Sequence, residues 1–123
     1  MVIEKLIALL RANESLAAFK IEPFAVEGVQ DSIVYTFTPI TDNNNVRKDK
    51  LEIHIISKNY TTLLQADEAA RKTLLTAADE PLMGGIYKVE INGGGSMEDA
   101  ATQTKHLITN YYVISDGGLR NNG

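Results

Sequence analysis

The sequence predicts an α+β fold in which two main helices pack on one face of a four-stranded, largely antiparallel sheet. Three observations predict it. Residues 50–57 (KLEIHIIS) alternate apolar and polar side chains, the period-two pattern of a half-buried strand. Residues 60–78 then repeat apolar positions at helical spacing. Two further alternating runs, 86–92 (IYKVEIN) and 104–114 (TKHLITNYYVI), flank Gly93-Gly94-Gly95. An amphipathic helix and one earlier strand precede these, giving the order α-β-β-α-β-β.

The first helix is read over residues 2–12. Val2, Ile3, Leu6, Leu9 and Leu10 recur on one face, and Asn13 can end the helix. Asn13 or Ser15 can also cap a short turn through Ala18 or Phe19. Pro23 and Gly28 mark an irregular segment. Residues 32–38 (SIVYTFT) are β-branched and aromatic, with Ile33, Tyr35 and Phe37 sharing a face, and Pro39 is expected to stop the strand or mark its edge. A polar connection, TDNNNVRKD, leads back as an antiparallel hairpin of 32–38 with 46–57, with Leu51, Ile53 and Ile55 facing the core.

The second helix carries an inward stripe of Leu63, Ala66, Ala70 and Leu74, widened by Leu64 and Leu75. Asp67, Glu68, Arg71 and Lys72 are expected to face water, and Thr62 with Gln65 forms a capping-box pattern that competes with Asn59. Gly93-Gly94-Gly95 is expected to be the tip of the last hairpin. One ring of Tyr111-Tyr112 then faces the core and the other the surface.

At 123 residues and 44% hydrophobic content, the chain suits one domain with one core. That domain is read over residues 1–115, with a flexible tail over 116–123. Cysteine is absent, which excludes disulfides and thiolate chemistry. A net charge of −4 disfavours nonspecific nucleic-acid binding. No apolar run approaches the ~20 residues that span a bilayer, and MVIEKLIALL reads as an amphipathic helix instead of a signal peptide.

No catalytic constellation emerges. His54 and His106 both sit on strands, but no third ligand lies at metal-site spacing. Asp42, Asn44 and Asp49 miss the calcium-loop pattern because Val46 and Arg47 occupy key positions. Gly93-Gly94-Gly95-Ser96 lacks the lysine of a phosphate loop, and Glu98 and Asp99 would repel phosphate. Carboxylates are plentiful, Asp79-Glu80 among them, but none forms a pair in an apolar setting. The expectation is a non-enzymatic chain with no metal and no cofactor. The outer sheet face carries Glu52, His54, Ile56, Lys88, Glu90, His106, Ile108, Tyr112 and Ile114, a mixture that partners often cover.

The pattern resembles the small tail-completion proteins of long-tailed bacteriophages and prophages, also called tail terminators or head–tail joining proteins. The resemblance rests on VIEKLIALLRANESL, IVYTFTPITD, KLEIHIISKNY, the Tyr60–Leu75 helix, and the pair GIYKVEING with KHLITNYYVIS. It covers about residues 1–115 and is strongest over LEIHIISKNYTTLLQADEAARKTLL. It implies a non-enzymatic ring of identical subunits, typically hexameric, that caps the head-proximal end of the tail tube. The implied partners are the chain itself, the tail tube protein and the head connector protein, without specific nucleic-acid recognition or a membrane. The implied location is the virion tail or neck, and the bacterial host cytoplasm during assembly. The loops TDNNNVRKD and GGGSMEDAATQ are idiosyncratic, so partner identity does not carry over.

On this reading Arg47, Lys48 and Asp49 form a contact patch, and the basic pair meets an acidic neighbour. Glu98 and Asp99 suit a lumen that must not retain DNA. His54, His106 and Tyr112 lie on the outer sheet face. Two other roles fit the same pattern: another neck or minor tail component, and, from a different class, a cellular small-ligand-binding α+β module.

Overall fold

The computed structural model describes residues 2–24, 31–42, 46–77 and 85–116. The sheet is built around β3 (Val46–Ser57), which pairs antiparallel with β2 (Ser32–Asp42) on one side and β5 (Thr104–Asp116) on the other. From Arg47 to Ser57 its side chains alternate buried and half-buried at every residue, as the pleat requires when only one face is covered. Leu51, Ile53 and Ile55 are fully buried, beside Ile33 of β2 and Tyr111 and Val113 of β5. Each such side chain contributes about 1.5–3 kcal/mol on leaving water. Tyr111 is buried and Tyr112 lies on the opposite face, as the alternation predicts.

Two helices cover the face that carries these residues. In α1 (Val2–Ala12), Leu6, Ile7 and Leu10 are buried in the same core. Asn13 caps a single 3-10 turn at Glu14–Leu16, its side chain accepting from the Ser15 amide at 2.9 Å. In α2 (Tyr60–Leu75), Leu63, Ala66, Ala70 and Leu74 are buried, and the two alanines let the helix lie close to the sheet. Asn59, and not the capping box, closes the N-terminus by accepting from the Thr62 amide at 3.0 Å. The helix ends at Leu75, short of the expected residue 78. Leu64 and Leu75 do not widen its inward stripe: they are 44% and 40% exposed.

Asp67 corrects the expectation of an outward face. It is buried, accepts a hydrogen bond from Thr109 Oγ1 at 3.0 Å, and pairs with Arg71 one turn on at 2.7 Å. The stripe turns with the helix, and position 67 falls where α2 crosses β5, so the carboxylate is held by two partners instead of by water.

The sheet has five strands in the order β1-β2-β3-β5-β4, not four. The added strand, β1 (Lys20–Pro23), pairs parallel with β2. Its four residues, KIEP, are too short to show alternation and end in a proline that reads as a breaker. Pro39 does not end β2, which continues to Asp42 through a register shift between Pro39 and Thr41, the kind of irregularity at which a residue without an N–H is tolerated.

The triglycine is not a hairpin tip. It lies inside β4 (Ile86–Asp99), where the pairing with β5 shifts register between Ile91 and Gly94. The chain reverses later, over Ala100–Gln103, with Gln103 at a φ of 57°. Glycine is needed at position 94 because a Cβ there would overlap the Ile108 carbonyl oxygen, whereas a Cβ at Gly95 meets nothing within 4 Å. Asp116 closes β5, its amide donating to the Gly85 carbonyl at 2.7 Å. Asn44, Asp79-Glu80 and residues 117–123 lie outside the described residues, so the tail and the 1–115 domain boundary remain sequence expectations. Among the described residues no helix is long and apolar enough to cross a membrane.

Two stability measurements follow. By urea denaturation, Gly94→Ala is expected to cost about 2 kcal/mol or more, while Gly95→Ala stays within about 0.5 kcal/mol. Asp67→Ala leaves the buried Thr109 hydroxyl without its acceptor and is expected to cost about 1–3 kcal/mol. Equal effects at the two glycines would contradict the bulge.

Candidate functional site

The face of the sheet opposite the helices is the candidate site. Alternation places Lys48, Lys50, Glu52, His54 and Ile56 of β3 on it, and the antiparallel register sets Ile114, Tyr112, Asn110, Ile108 and His106 of β5 directly across. Lys88, Glu90 and Met97 join them from β4, across from Ile114, Tyr112 and His106. Ile56, Ile108, Tyr112 and Ile114 are half-buried, and Met97 is 55% exposed. No α-helix packs over these side chains among the described residues. Among the described residues an apolar strip edged with charges is therefore left without a helix over it.

The structure brings the two sequence-predicted histidines together. His54 and His106 sit diagonally on neighbouring strands, and His54 Nε2 lies 2.7 Å from His106 Nδ1. The other His106 nitrogen, Nε2, is 2.9 Å from Thr104 Oγ1, which in turn is 2.7 Å from Thr102 Oγ1. Burial, and then the neighbouring His106, lower the His54 pKa from its ordinary value of 6.5, while Glu52 pulls the other way. Among the described residues no three His, Asp or Glu side chains gather as a metal site would require.

Lys48 and Tyr112 also meet, the ammonium lying 4.1 Å from the ring centroid. This cation–π contact holds the lysine over the apolar strip. At the exposed edge, Lys88 and Glu90 pair at 3.2 Å, a contact worth little in water.

Arg47 and Asp49 are placed differently. Both point to the helix-covered face, are 5% and 0% exposed, and pair with each other at 2.8 Å. The Arg47 guanidinium also lies 5.9 Å from the Phe37 ring centroid. Arg47 thus has its ion-pair partner within its own strand. One-residue alternation separates them from Lys48, which the sequence grouped with them.

Glu98 and Asp99 end β4, and Asp99 accepts from the Ala101 amide at 3.0 Å, fixing the turn. Lys48 pairs with Ile114 and Asp99 with Thr104, so the two charged groups are ten residues apart along β5, roughly 33 Å. Lys48 and Asp99 are two ends of one face and not one site, and Glu98 lies on the other face. A cleft of about 370 Å³ opens near the acidic end, lined by Tyr60, Leu63, Met97, Glu98, Lys105 and His106.

Sequence reasoning missed Thr102 and Thr104. The available signal was the i, i+2 spacing of Thr104 and His106, which puts both on one face. It also missed Tyr111 as a polar group: its hydroxyl is buried with no partner among the described residues. Burial, then Asp67, raise its pKa and keep it protonated.

No protein-family model matches the chain, and neither does any curated protein. Among solved structures it is similar to a chain from the virion of a native gene transfer agent (GTA) particle. The TM-score is 0.58 at 14% sequence identity, over 94% of this chain and 92% of that one. At that identity the likeness is one of fold.

The lowered His54 pKa fixes a sign. Unfolded, His54 takes a proton near pH 6.5; folded, it resists until lower pH. Between the two values the unfolded chain binds more protons, so stability rises with pH and is lost as pH falls through that window. The urea midpoint is expected to be lower at pH 5 than at pH 7.5, with a smaller difference in His54→Gln. An unchanged difference in that variant would remove the assignment.

Proposed function

We propose that this chain is a structural virion protein of the tail-completion type. It acts without catalysis or cofactor, as a ring of identical subunits at the head-proximal end of a phage or prophage tail tube, joined there to the head connector. The observation that carries the reading is the near full-length fold likeness to a chain of a gene transfer agent virion. The ordered pattern of strands and helices in the sequence supports the finer role.

A one-sided sheet suits such an assembly. The helix face closes the core, and the other face is left for neighbours. A ring needs two different patches on each subunit, so that one copy's first patch meets the next copy's second. Lys48, Tyr112, His54 and His106 mark the open face, and Glu98 and Asp99 mark the far end of the β4–β5 hairpin. The buried Arg47–Asp49 pair stiffens the β2–β3 end behind Lys48. In this role the protein resides in the tail or neck and passes through the host cytoplasm during assembly. Hexamer number is taken from the family resemblance.

Electron microscopy of particles from an induced element lacking this gene tests the role. Filled heads beside separate tails, especially tails of abnormal length, are expected. Normal joined virions would overturn the reading and favour a cellular ligand-binding module. A point variant tests the face: Lys48→Glu should fold within about 0.5 kcal/mol of the parent chain yet reduce head–tail joining several-fold. Full joining by that variant would remove Lys48 from the interface.

A further inference from the structure

We propose that His54 and His106 form a one-proton latch that fastens the outer end of the β4–β5 hairpin to β3 and opens when the pair takes up a second proton. The inference stands on the geometry of the pair and is independent of the virion reading.

The 2.7 Å gap between His54 Nε2 and His106 Nδ1 holds one hydrogen and no more. In the neutral pair that hydrogen has two arrangements. His54 Nε2–H can donate to His106 Nδ1, which leaves His106 Nε2–H to donate to Thr104 Oγ1. Alternatively, His106 Nδ1–H donates to His54 Nε2, and His106 Nε2 accepts from the Thr104 hydroxyl. Thr102 completes the chain in either case, since each hydroxyl both donates and accepts.

A first added proton is accommodated. Because folded His54 resists protonation, it goes to His106 Nε2, in the second arrangement. One hydrogen still occupies the gap, and the contact becomes a charge-assisted hydrogen bond, the stronger kind. The next basic nitrogen is the one inside the gap. Protonating it sets two N–H groups against each other, and two imidazolium charges with them, on rings whose centroids are 4.9 Å apart. The rings must part, and the Thr102–Thr104–His106 chain loses its anchor on β3.

The surrounding charges do not cancel this repulsion. On β3 the ionisable residues sharing the open face are Glu52, two residues from His54, and then Lys50 and Lys48 farther along. On β5 that face continues through the neutral Ile108 and Asn110 to Tyr112, and β2 adds Ser32, Val34, Thr36 and Thr38, none of them ionisable. On β4, neutral Met97 lies across from His106, with Asp99 at the strand's end and Glu90 and Lys88 farther off. Glu98 and Lys105 pair across the hairpin on the opposite face. Glu52 offsets part of a charge on His54, but it cannot make room for a second hydrogen in the gap.

Nitrogen-resolved NMR of both imidazoles from pH 8 to 4.5, with amide exchange corrected for its intrinsic pH dependence, tests the latch in the intact chain. The pair is expected to bind its two protons in steps at least tenfold apart in affinity. Exchange over Thr102–His106 should accelerate about tenfold with the second step. His54→Gln keeps an amide donor for His106 Nδ1 but has no second proton to gain, so the second step and its acceleration should vanish. Thr104→Val should leave two separated steps while weakening the first. Two independent titrations near the ordinary histidine value of 6.5 would overturn the latch. So would hairpin exchange that ignores the second proton.

Discussion

The antiparallel pairing of β3 with its two neighbours is the constraint on which the other features depend. Twelve consecutive residue pairs join β3 to β5, and ten join it to β2. Because strand side chains alternate, that register assigns every residue of the three strands to one face or the other. A slip by one residue would turn Leu51, Ile53 and Ile55 to water and bring Glu52 and His54 against the helices. The cost of burying those polar groups makes the register effectively unique. The His54–His106 and Lys48–Tyr112 contacts follow from it, as does the burial of Arg47 and Asp49.

Both helices lie on the same side, so among the described residues the sheet has one helix-covered face and one without a helix. The helix side is closed by leucine, isoleucine and alanine and by the Asp67–Arg71–Thr109 group. The other side is neither polar enough to be a purely solvent face nor apolar enough to be a second core. Half-buried isoleucines run between a lysine-rich end and the histidine pair. A face of that mixed kind suits association with partners that arrive after folding.

The large elements were legible because they are long and periodic. Both helices, the central strand and the final pair each repeat their pattern over enough residues to identify the period. β1 was not legible, because four residues carry too few alternations and its partner is parallel and close in sequence. The triglycine misled for a physical reason. Glycine marks a turn and also a close backbone approach, and only the path of Ile108 beside Gly94 distinguishes them. Asp67 misled because its charge argued for water, although its spacing from Leu63 and Ala70 places it within the apolar stripe. For the site, the sequence placed His54, His106 and Tyr112 on the outer face correctly. It could not pair the histidines, since diagonal contact between strands depends on register. Grouping Arg47, Lys48 and Asp49 as one patch overlooked that alternation along β3 puts Lys48 on the other face from its two neighbours.

The central claim is that the helix-free face is the face used in assembly. Covalent footprinting of lysine, histidine and methionine side chains, on the free chain and on the chain in assembled particles, tests it most directly. The account predicts that labelling of Lys48, His54 and Met97 falls several-fold on assembly while that of Lys5 and Lys72 on the helices changes little. Protection of the helix lysines with the open face still fully labelled would contradict it.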